Sequence, residues 1–130
     1  MSLRSIFIVL IILMALSLSL IGIAVAVEED SKIHILSPDN SLFNFPNKIF
    51  SSDFNNWIGQ KGLFFPVKYS SQYIPLTSVY AGKKIIKGGL LVAYIGKGVY
   101  ILTFYDWFRQ LRHFHLGAYK ILANLVSSEE

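Results

Sequence analysis

Cysteine is absent from the chain, which rules out disulfides, thiolate metal sites and a cysteine nucleophile. Acids are nearly absent from its middle. Lys32 to Lys120 holds 11 Lys and Arg but only Asp39, Asp53 and Asp106, which leaves that stretch at about +8. The other acids gather at its ends, in Glu28-Glu29-Asp30 and Glu129-Glu130. Internal repeats and low-complexity linkers are also missing, so the sequence offers no array and no flexible tether. A basic domain of this kind faces anionic lipid, an acidic partner or plain solvent. The lysines are scattered and no nucleic-acid motif accompanies them, so nucleic acid is not an expected partner.

What is present begins with a long uncharged run. Ser5 to Val27 carries no charge and is mostly Ile, Leu, Val and Ala. As a helix it would span about 34 Å, enough for a hydrocarbon core of roughly 30 Å. Arg4 precedes it and Glu28-Glu29-Asp30 follows. The positive-inside rule then sets the N-terminus in the cytoplasm and residues 28–130 outside a cell membrane as a single-pass protein. Gly22 with Ala15 and Ser19 forms a small face suited to close helix contact. The alternative is secretion after signal cleavage at Ala26, since Ala24-Val25-Ala26 fits an A-x-A site, although the apolar run exceeds a usual signal core. The expected domains are residues 1–30 as the anchor, with its transmembrane helix at about 5–27, and 31–130 as an extracytoplasmic α+β domain.

The remaining residues, about 100 of the 130, suffice for one modest core, and they hold all but one of the chain's 10 Phe and all of its 7 Tyr and 2 Trp, which makes that core aromatic. Lys32–Leu36 alternates as a short strand, and Ser37-Pro38-Asp39-Asn40 is a turn. Leu42–Phe50 reads as an extended, packed loop. Ser51 or Ser52 caps a short helix with Phe54, Trp57 and Ile58 on one face, ended by Gly59 and Gly62. Leu63–Val67 is a buried strand that Pro66 makes an edge. Tyr73–Tyr80 is a further strand, with a turn at Ala81-Gly82-Lys83-Lys84. Leu90–Ile95 and Val99–Phe104 form a hairpin about Gly96-Lys97-Gly98. Tyr105–Arg112 makes one or two helical turns with Asp106 near the start. A last helix aligns Ala118, Leu122, Leu125 and Val126 on one face. The expected fold class is α+β: an N-terminal transmembrane helix, then a small, mainly antiparallel sheet domain with two or three short helices.

Several segments, in order, carry a family resemblance. They are Asn44-Phe45-Pro46-Asn47-Lys48-Ile49, Asp53-Phe54 with Trp57, Gly62-Leu63-Phe64-Phe65, and Gly88-Gly89-Leu90-Leu91-Val92-Ala93. Gly96-Lys97-Gly98, Phe108-Arg109-Gln110-Leu111, Gly117-Ala118-Tyr119-Lys120 and Ala123-Asn124-Leu125 follow. Together, over about residues 42–126, the chain resembles the C-terminal part of glutamine-amidotransferase-like domains fused to some PIG-L (LmbE-like) deacetylases and related membrane proteins. The resemblance implies descent from a flavodoxin-like α/β sandwich whose active members use a cysteine, a histidine and a glutamate. This chain lacks the cysteine, the preceding parallel βα units and the deacetylase metal ligands, so the matching positions read as scaffold. Leu116 stands where the family often has proline, and Gly59-Gln60-Lys61 replaces a more polar stretch often ending in Glu-Arg.

No residue stands out as catalytic, and neither a cofactor nor a metal is expected. His113 and His115, with His34, would make a three-histidine metal site only if they converged; beside Arg109 and Arg112 they read as surface or interfacial histidines. Asp106 and Asp53 suit helix-start and ion-pair roles better than acid catalysis. Gly96-Lys97-Gly98 lacks the longer motif and the helix of a phosphate loop. Core packing accounts for most of Trp57, Tyr105, Trp107 and Phe108 more simply than a sugar-stacking or protein-binding patch does; the candidate interaction surface is these four with Arg109, Arg112, His113 and His115. The expected function is a non-catalytic, membrane-anchored accessory subunit, with the bilayer and other membrane protein subunits as partners. A polysaccharide or ligand-binding module, or contact with anionic lipid, is the alternative. A small hydrolase is the least favoured.

Overall fold

The computed structural model describes residues 24–128. They form a small α+β domain in which every strand pair is antiparallel. In chain order the strands are β1 Ala24–Val27, β2 Ile33–Ile35, β3 Gly62–Pro66, β4 Ile74–Pro75, β5 Thr77–Ala81, β6 Lys84–Ile86, β7 Leu90–Ile95 and β8 Gly98–Thr103. Short 3-10 helices occupy Ser41–Phe43 and Ser51–Phe54, and two α-helices close the chain: α1 Trp107–Arg112 and α2 Leu116–Val126.

The expected transmembrane helix at about 5–27 is corrected here. Its last four residues, Ala24–Val27, are a β-strand paired antiparallel with β3, and Val27 is fully buried in the core. An apolar stretch meets two competing demands. The same side chains that would line a membrane helix also suit a buried strand, and pairing with β3 decides for the strand at this end. Among the described residues no helix is long and apolar enough to cross a membrane. The rest of the expected span, residues 5–23, lies outside the described residues, as does its Ala15, Ser19 and Gly22 face. The folded unit takes in β1 and so begins before residue 31.

Three small sheets share the core: β1–β3, β2–β5–β6 and β4–β7–β8. The Tyr73–Tyr80 stretch does not run as one strand. Ile74–Pro75 pairs with β7, and Thr77–Ala81 pairs with β2 and β6. Between them Leu76 is fully buried; its N–H donates to Leu90 O and its carbonyl accepts from Leu36 N. Pro75 has no N–H for a central ladder, which is why the chain changes sheets there. Both hairpins turn on a Gly-Lys pair, Gly82-Lys83 and Gly96-Lys97, with the glycines at φ +62° and +57°. In the β7–β8 hairpin Ile95 faces Gly98 and Leu90 faces Thr103.

The main core joins both helices to all three sheets through Val27, Ile33, Phe43, Phe54, Trp57, Phe65, Leu76, Leu90, Tyr105, Ile121 and their neighbours. A second, smaller cluster of Tyr73, Leu91 and Ala93 covers the other face of β7. Each large side chain so buried contributes about 1.5–3 kcal/mol of hydrophobic stabilisation. Helix α2 buries Ala118, Ile121 and Leu125, whereas Val126, expected on that face, is 83% exposed. The helix ends there, so no neighbouring turn covers Val126.

Candidate interaction surface

The aromatic residues expected at the surface divide in two. Trp57 and Tyr105 are 1% and 5% exposed and lie in the core. Trp57 Nε1 donates to Asp53 O at 3.2 Å, and Tyr105 Oη shares a hydrogen bond of 2.7 Å with Thr77 Oγ1. Trp107 is half-buried; its ring meets Trp57 edge-on at 5.2 Å, and its Nε1 donates to Thr103 Oγ1 at 2.9 Å. Phe54, Phe65 and His115 complete this aromatic cluster. These three residues therefore brace β8 and the helices and present little or no outer surface. Burial raises the Tyr105 phenol far above its usual range, partly offset by the Thr77 hydrogen bond.

Phe108, Arg109, Arg112 and His113 do lie on the outside. Phe108 and Arg109 lie in the first turn of α1, and Arg112 and His113 at its end, where the elbow to α2 begins. Asp106 caps α1, accepting from Arg109 N at 3.4 Å and pairing with Arg109 Nε at 3.5 Å. The helix ends at His113. Phe114 then takes φ +55°, with its N–H donating to Leu111 O and His115 N–H donating to Gln110 O. This is a left-handed stop of the kind usually given to glycine. His115 caps α2: Nδ1 accepts from Ala118 N at 3.2 Å, while Nε2–H donates to Asn55 O at 2.7 Å. His115 is thus a structural cap. Phe108, Phe114 and Leu116 project at 70%, 83% and 74% exposure. Arg112 stacks its guanidinium over Phe108 at 5.6 Å. Asp106, Phe108, Arg109, Arg112 and His113 line a cleft of about 240 Å³.

His34 sits on β2 opposite Ser78, and among the described residues no group of three His, Asp or Glu is placed to hold a metal. Asp53 is likewise committed: it accepts from Phe50 N at 2.8 Å and pairs with Lys120 Nζ at 3.0 Å.

Gln110 and Asn124, which the sequence presents only as scaffold, and Lys61 are buried polar residues whose roles the structure supplies. Gln110 clamps the Ile58 backbone, accepting from its N–H at 2.8 Å and donating to its carbonyl at 3.0 Å. Asn124 ties α2 to the Leu42–Asn47 loop with bonds to Leu42 O and to the backbone of Asn47. Lys61 is 3% exposed and donates to Glu29 O. Burial lowers its pKa, opposed by the Asp30 and Glu29 carboxylates. It lines an open groove of about 680 Å³ with Glu28, Asp30, Asn55 and Trp57. Polar residues at isolated positions carry no periodic signal, so only their tertiary partners reveal them.

The second outward feature is strand β8. Among the described residues it is an edge, paired only with β7. The two-residue turn makes Ile95 and Gly98 a hydrogen-bonded pair, so the backbone groups of Val99, Ile101 and Thr103 point away from β7. The strand holds neither charge nor proline, the usual guards of an edge. Comparison with protein-family models, curated proteins and solved structures finds no match to this chain.

Proposed function

We propose that the chain is a non-catalytic accessory subunit of a larger membrane-protein assembly, and that it docks by adding an extended segment of a partner subunit to β8. The open β8 edge carries this reading. Among the described residues, the N–H and C=O groups of Val99, Ile101 and Thr103 have no partner, and on an uncharged strand these three sets suit a partner strand with alternating apolar side chains. Two observations support the non-catalytic part. Asp53 and Asp106 are engaged in caps and ion pairs, and His115 is committed to capping α2 and to Asn55 O. The apolar composition of residues 5–23 supports the membrane setting.

The test is gentle detergent extraction from native membranes, native-gel separation and mass spectrometry of the band that contains this chain. Co-migration with stoichiometric larger membrane subunits is the expected result. Val99→Pro should abolish it while leaving the fold intact, because the Val99 N–H faces the open edge and takes no part in the β7 ladder. Migration of the natural chain alone would overturn the proposal.

A further inference from the structure

We infer that the α1–α2 elbow is a second contact, one that seats the headgroup of an anionic phospholipid in the cleft beside it while Phe114, Phe108 and Leu116 enter the interfacial layer of the bilayer. It rests on the membrane setting proposed above but not on the β8 contact.

The elbow breaks a backbone rule. A left-handed stop suits glycine, yet Phe114 holds φ +55° and is 83% exposed. It accepts backbone strain and gains no burial within the domain. A bulky residue kept in such a place is explained by something outside the domain. Leu116 is exposed two residues on, and Phe108 is exposed in the first turn of α1, so this part of the chain carries three projecting apolar side chains.

The charges near these side chains indicate what they meet. Arg109 and Arg112 follow Phe108, and His113 precedes Phe114. Asp106 is the one acid of the cleft, and Arg109 already pairs with it. That leaves Arg112 and His113 to face an incoming anion. The cleft, at about 240 Å³, falls below the ~300–1,000 Å³ of drug-sized sites. It accommodates a phosphodiester headgroup. Exposed apolar side chains beside an uncommitted guanidinium suit an anionic membrane surface: the apolar side chains enter the headgroup boundary, and Arg112, with the His113 ring beside it, meets lipid phosphate. A protein partner would instead need a socket matched to the three side chains. The basic balance of Lys32–Lys120, about +8, favours the same surface over the whole domain.

The absence of cysteine provides a clean probe. In the full chain, Phe114→Cys carries the only thiol and takes an environment-sensitive fluorophore. The labelled protein is added from detergent to vesicles of phosphatidylcholine, and to vesicles of equal parts phosphatidylcholine and phosphatidylglycerol. A blue shift on the phosphatidylglycerol vesicles, with none on phosphatidylcholine, is the expected outcome. Arg112→Gln should weaken that titration about fivefold, the share of one cation near an anionic surface. A label at Lys83→Cys, in the β5–β6 turn, should stay in water on both. Leu116→Cys repeats the test at a second exposed site. An equal shift on both lipids, or none on either, would overturn the inference. So would protection of the elbow by soluble glycerol phosphate without any vesicle shift, since the anion would then be a free ligand. The label reports only the elbow, so its result is independent of co-migration through β8.

Discussion

Single residues decide how the polar parts of this core are satisfied. Gln110 bonds both backbone groups of Ile58, and its removal leaves them without a partner. Gln110→Ala should cost about 1–3 kcal/mol, read as a lower urea midpoint. Tyr105 has a pH signature. The core accepts its neutral phenol, so its folded pKa lies above the ordinary tyrosine value. Its contribution is therefore whole below about pH 10 and is lost above it, because the unfolded phenol ionises first. Tyr69 and Tyr73 shift the same way through burial. Tyr105→Phe should cost about 1–2 kcal/mol at neutral pH through the unpaired Thr77 hydroxyl, and should flatten the alkaline decline. Lys61 has the opposite sign. Its lowered pKa means the unfolded chain binds the extra proton, so stability rises with pH up to about 10.4. Lys61→Met should remove that rise, as urea titrations across pH would show. Phe114→Gly relieves the left-handed strain and should leave the fold as stable or raise it by up to about 1 kcal/mol, measured by thermal unfolding.

At the scale of elements, the hairpins and helices follow local chemistry, and β1 does not. The two Gly-Lys turns, the Asp106 cap and the apolar face of α2 are all visible as residue patterns, and the structure places elements there. The short helix around Ser51 is a 3-10 turn instead, capped by the Asp53 side chain reaching back to Phe50 N, with Ile58 outside the core. The β1 strand was concealed in an apolar run whose composition also fits a membrane span. Its membership of the core makes a clear prediction. Val27 is fully buried, so Val27→Ala should lower the domain's stability by about 2 kcal/mol in urea unfolding. Were residue 27 the end of a membrane helix, the domain's midpoint would not move.

Across the whole molecule, one aromatic cluster couples the parts. Trp57 and Trp107 touch each other and residues from the 3-10 turn, β8 and the α2 cap, and the core around them reaches all three sheets. Loss of tryptophan fluorescence and loss of far-ultraviolet ellipticity should therefore coincide in urea. Separate midpoints would mean that the sheets and helices unfold as independent units. The same packing directs the chain's unused bonding outward at two places, the β8 edge and the elbow.

By itself the sequence determined the features that depend on near neighbours. Glycine turns, an aspartate cap, alternating strands and an apolar helix face arise from backbone sterics and from periods of two and 3.6 residues. The missing cysteine likewise excluded disulfides and thiolate chemistry before any folding, and the scarcity of central acids set the basic balance. Tertiary structure alone decided that Trp57 and Tyr105 turn inward, that Ala24–Val27 pairs with β3, and that Tyr73–Tyr80 divides between two sheets. It alone decided that Phe114 stays outside. The reason is physical: an aromatic side chain gains from any apolar neighbour and a strand from any open edge. Which neighbour and which edge depend on residues far apart in the chain, and these meet only when the core closes.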